Sequence, residues 1–238
     1  MSQQAITMVA SDGIAEGRSG TSMISSRAAI VAATVVIGAV AKVAFLYWHA
    51  PYDKSEVVPY DTFLSIRHGW YVSHYFGGTA MGLGFIALAL AACLLVRRAG
   101  ATLTTIGAAF TGLGGLLIAP GLAGEGVAYS YASDTQALPK GQGQILLRYM
   151  FEHPDRTLVL LLAGLGLITV GGLVLGLGLL RARVVPLWVP IALMVGTVLF
   201  AVTPHAITWW ASLPGTVAAV AIGWYAWQAA SSSNSGDA

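Results

Sequence analysis

Residues 157–180, TLVLLLAGLGLITVGGLVLGLGLL, run from Thr157 to Leu180 without one ionisable side chain. As a helix rising 1.5 Å per residue, such a run covers roughly 36 Å, enough to cross the ~30 Å hydrocarbon core of a bilayer. A membrane strand would instead alternate apolar and polar residues over about ten positions, and nothing here alternates. Lipid offers no partners for backbone N–H and C=O groups, so an open strand is excluded and a helix is the spanning form that remains.

The same reading applies to Ala101–Leu122, Trp70–Val96 and Ala28–Trp48 before this run, and to Val185–Val202 and Leu213–Gln228 after it. The chain is therefore expected to be all-α, a polytopic membrane helix bundle of about six transmembrane helices. The short link after Val96 forces its two helices into an antiparallel hairpin. Composition agrees: 56% of the 238 residues are hydrophobic and 9% charged, against about 25% charged in soluble domains. Three parts are expected: a disordered cytoplasmic leader over 1–26, the transmembrane domain over 27–230, and a disordered polar tail over 231–238. The net charge of +2 reflects a few loop arginines and points to no nucleic-acid partner. Cys93, the single cysteine, excludes an intrachain disulfide and reads as a small packing residue.

Arginines set the expected orientation. Arg18 and Arg27, Arg97 and Arg98, and Arg181 and Arg183 fall on one side of the six spans, which the positive-inside rule makes cytoplasmic, with both termini inside. The opposite loops also carry Lys54, Arg67, Lys140, Arg148 and Arg156, interleaved with acids.

On that opposite, outer side the spans place all five histidines, His49, His68, His74, His153 and His205, with Asp53, Glu56, Asp61, Glu125, Asp134, Glu152 and Asp155. Long polar loops explain much of this asymmetry. They do not explain Lys42, His74 and Glu125, which stand inside or at the edge of apolar runs, where ionisable groups are costly and usually face the bundle interior. Lys42 either snorkels or meets an acid such as Glu125. Glu125, in Gly121-Leu-Ala-Gly-Glu-Gly126, either ends its helix at the interface or is buried where flanking glycines admit close approach. Arg67, Tyr71 and His74 follow i, i+4, i+7 and share one helix face, suited either to an anionic or hydroxylated ligand or to a wet interface. In Glu152-His153-Pro154-Asp155-Arg156, Pro154 opens a helix and Asp155 faces the positive end of its dipole. His205 precedes Trp209 and Trp210, which read as interfacial anchors.

The expected site is thus an outer-face His/acid/aromatic cluster of Glu125, His74, His153 and His205 with Lys42, Arg67 and Tyr71, binding or transporting an ion or small molecule. Two other classes stay open: a membrane-embedded enzyme acting on a lipid-like or isoprenoid substrate by acid/base chemistry, and a structural subunit whose Gly172 and Gly176 pack against another helix, inside the bundle or on a partner chain. No H-x-x-x-H or H-E-x-x-H spacing supports a tight metal site, and no C-x-x-C-H supports an attached haem. No cofactor, metal or catalytic residue is assigned.

From Glu152 to Thr203, His153-Pro-Asp-Arg-Thr157, a Gly/Leu span, and Arg181-Ala-Arg-Val-Val-Pro-Leu-Trp188 before another span resemble small multi-span membrane proteins of high-GC actinobacteria. The resemblance implies a bacterial multi-pass protein and carries no functional residue with it.

Overall fold

The computed structural model describes residues 26–48, 58–203 and 208–232. Eight helices lie among them: α1 (Ser26–Trp48), α2 (Tyr60–Leu95), α3 (Ala101–Ala132), α4 (Lys140–Glu152), α5 (Pro154–Thr157), α6 (Val159–Ala182), α7 (Trp188–Val202) and α8 (Thr208–Ser232). The chain is an all-α multi-pass membrane bundle. Four helices, α1, α2, α3 and α6, are long and apolar enough to cross a membrane. The expectation of six spans holds only in this coarser form. Apolar α7 has 15 residues, and the longer α8 is diluted by Trp209, Trp210, Trp224 and Trp227.

The larger departure from expectation is length. α2 has 36 residues and α3 has 32, so each runs on the order of 50 Å, well beyond a bilayer core. The extra turns, Tyr60–Gly69 on α2 and Gly126–Ala132 on α3, lie at the same end because the two helices are antiparallel. Polar side chains there do not interrupt the helix, since outside lipid an amphipathic face suffices. Phe63, Tyr129 and Ala132 from these turns, with Trp70 one residue further along α2, meet Leu147 and Met150 of amphipathic α4 in a separate aromatic core. It forms a cap. Its rim is polar, with Lys140 Nζ 2.8 Å from Asp61, Arg148 Nε 2.7 Å from Glu152, and Arg156 Nη1 2.6 Å from Tyr149 Oη. As expected, Pro154 occupies the first turn of its helix with Asp155 beside it.

Within the bundle, small residues set the spacing. Gly114 and Gly164 face each other across α3 and α6, where a Cβ added at Gly114 would stand 2.7 Å from the Gly164 carbonyl oxygen. Gly172 sits against Thr197 of α7 at 2.7 Å by the same measure. Gly172 and Gly176 thus serve packing inside the bundle. Gly100, with φ +83°, turns the chain between α2 and α3 in the left-handed region that glycine adopts most easily. Cys93 is exposed and does not pack in the core.

One helix departs locally from regular geometry. α2 contains a π-helical turn, Ser73–Gly77, inside otherwise α-helical structure, a feature often found at functional positions.

Candidate functional site

His74 lies on that π-helical turn, and its side chain is 1% exposed. Its Nδ1 is 2.8 Å from the carbonyl oxygen of Trp70. A carbonyl can only accept, so Nδ1 carries the hydrogen and Nε2 is the nitrogen left to exchange a proton. Nε2 points to Glu125 Oε2, 3.8 Å away, and the Glu125 side chain is only 10% exposed. Close approach of α2 and α3 makes this possible. A Cβ added at Gly126 would stand 2.8 Å from the His74 Cβ, whereas Gly124 faces open space.

Aromatic rings enclose the imidazole. Trp70 stacks on it, with centroids 4.4 Å apart and planes 17° apart, and Phe45 of α1 meets it edge-on at 5.1 Å. Tyr129 continues the stack on Trp70 at 5.5 Å. The imidazole thus lies between an indole face, an edge-on phenyl ring and a carboxylate. With one proton between them, the pair is either imidazolium with carboxylate or imidazole with carboxylic acid, both neutral overall. Losing that proton leaves a lone pair facing a carboxylate; gaining another leaves an enclosed, unbalanced cation.

The pair overturns the expected outer-face site. His74 and Glu125 are internal, because α2 starts at Tyr60 instead of Trp70 and α3 continues to Ala132, so the cap covers what would otherwise be an open mouth. Of the expected group, the structure brings these two together. Arg67 reaches the end of α3, where its Nη1 is 3.2 Å from the Ser133 carbonyl oxygen and 3.8 Å from Asp134 Oδ1. Tyr71 stacks on Tyr75 at 5.4 Å. His153 caps the junction of α4 and α5 with its ring 4.4 Å from Tyr149. Lys42 does not pair with Glu125; its Nζ lies 4.7 Å from the centre of the Phe200 ring and 5.8 Å from that of Phe85. His49, Asp53, Glu56 and His205 lie outside the described residues, as do the leader through 25 and the tail from 233.

Trp70, Tyr129 and Phe45 are the site residues that sequence reasoning missed. A signal existed: Trp70 precedes His74 by four residues, and Tyr129 follows Glu125 by four, one helical turn in each case. Among the described residues no group of three His, Cys, Asp or Glu side chains is placed to hold a metal ion.

Fold and site together define an all-α multi-pass membrane protein with an enclosed His–Glu pair. Against protein-family models, curated proteins and solved structures the chain has no match, so the actinobacterial resemblance rests on the quoted residues alone.

Proposed function

We propose that this membrane protein binds and releases a proton inside its bundle, with His74 and Glu125 as the titrating unit. The observation that carries this reading is the 3.8 Å approach of His74 Nε2 to Glu125 beneath a closed aromatic cap. Enclosed ionisable pairs of this kind are costly to stability, and in membrane bundles they commonly mark proton relays. The bundle around the pair is six-spanning, with α7 and α8 completing the four longer helices, both termini cytoplasmic, and residues 27–230 forming the domain between two polar ends.

Groups facing the pair shape its titration. Tyr71 and Tyr75 flank His74 on α2, Tyr129 lies one turn beyond Glu125, and Arg67 pairs with Asp134 on the cap rim. Because Trp70 stacks on His74, the indole reports the imidazole's charge: an imidazolium quenches the excited ring more strongly than an imidazole does. The test is a pH titration of tryptophan fluorescence in nanodiscs. Wild type should show a step that disappears in both Trp70→Phe and His74→Gln and whose midpoint moves in Glu125→Gln. An unchanged midpoint in Glu125→Gln would show that the two residues do not share a proton and would overturn the reading.

A further inference from the structure

Lys42 lines a second interior site, separate from the His–Glu pair. A partly open cavity of about 50 Å³ lies between α1, α2, α6, α7 and α8. Gly38 and Lys42 of α1, Phe85 of α2, Thr197 and Phe200 of α7, and Thr216 of α8 line it. The ammonium sits on aromatic faces, over Phe200 and Phe85. Among the described residues no carboxylate lies within ion-pair distance of it. Thr197 and Thr216 donate their hydroxyl hydrogens to Leu193 and Ser212 carbonyls of their own helices at 2.7 and 2.9 Å. Each hydroxyl oxygen therefore keeps lone pairs but no hydrogen for a ligand.

We propose that this cavity receives the carboxylate of a membrane-soluble, single-chain acid. Charge complementarity carries the argument. Ring faces stabilise a cation only in part, and an ammonium enclosed by apolar side chains is completed by a counter-anion. The single cation matches a monoanion and would leave a phosphate dianion undercompensated. A cavity of this volume admits a headgroup the size of one or two waters, so the ligand's chain must leave through the open side. The phenyl and aliphatic lining suits the carbon atoms next to the carboxylate and offers no hydrogen-bond donor for a sugar or an amide.

Binding of radiolabelled dodecanoic acid to the protein in nanodiscs, corrected with empty discs, tests the site directly. Wild type should bind one acid per chain, displaced by unlabelled dodecanoate but not by methyl dodecanoate, acetate or chloride. Lys42→Met should weaken binding at least tenfold. Ala219→Leu, which fills the cavity and keeps the ammonium, should weaken it similarly. A circular-dichroism spectrum and melting temperature no lower than wild type in both variants would show that the bundle is intact. Competition by the ester at the same concentration as the acid, or full binding by Lys42→Met, would overturn the proposal; competition by acetate or chloride at low concentration would overturn the lipid source. The site is independent of the proton-binding reading, since the two are probed by different residues and readouts.

Discussion

Among the described residues two basic side chains, His74 and Lys42, stand inside the bundle, and they are treated differently. His74 is given a carboxylate, a carbonyl acceptor and a stacked indole. Lys42 is given phenyl rings and a cavity. The first arrangement is complete within the chain, whereas the second is completed from outside it. What distinguishes a basic group paired within the chain from one that receives a ligand is therefore the neighbouring helix, since both residues occupy interior positions of apolar runs.

Substituting one member at a time puts this contrast under the greatest strain. Glu125→Leu, which strands the enclosed imidazole without its acid, should destabilise the protein by about 3–5 kcal/mol in denaturant unfolding from detergent. The double variant His74→Leu with Glu125→Leu should recover most of that loss, because no buried group is left unpaired. If the double variant were as unstable as the single one, the pair would be a packing feature and not an electrostatic one. Gly126→Ala should cost roughly 1–3 kcal/mol by forcing α2 and α3 apart at the pair, while Gly124→Ala, with nothing in its way, should stay within about 0.5 kcal/mol of wild type. Lys42→Met should leave thermal stability unchanged or raise it; a loss comparable to that of Glu125→Leu would reveal an ionic partner and erase the contrast. The smallest effect belongs to the rim. Asp61 raises the Lys140 pKa through a hydrogen bond and its charge, so any stabilisation is present at neutral pH and lost only as pH rises through that raised value. Both groups are exposed and screened, and Lys140→Ala should leave the melting temperature unchanged at any pH below it.

The helical nature of the long spans was legible because their apolar runs are continuous; Val159–Ala182 is nearly what its composition announces. The cap was not. Its helices mix Asp61, Arg67, Lys140 and Arg148 with Phe63, Trp70, Leu147 and Met150, and hydropathy averages such amphipathic turns into apparent loops. For the same reason Glu125 read as compatible with a helix end, while the helix continues seven residues beyond it. Lys42, His74 and Glu125 could be singled out by the cost of their placement in apolar surroundings. Which of them would meet depended on the register between α2 and α3, and that is decided by side chains far apart in the chain, such as Gly78 against Leu122.

The π-helical turn at Ser73–Gly77 has a genetic consequence. It accommodates one residue more than an α-helical turn, so it behaves like an insertion that the helix has absorbed. Loss of a single codon there would let α2 run as uninterrupted α-helix while the segments before and after it kept their relative orientation, because the wider turn already takes up the extra residue within itself. Phe63 and Trp70 would keep their places in the cap, and the change would fall on the side chains of the turn itself, His74 among them. A frame-preserving deletion of one amino acid would thus act on the turn alone, whereas the same deletion in a regular stretch of α2 would rotate everything on one side of it by about 100°.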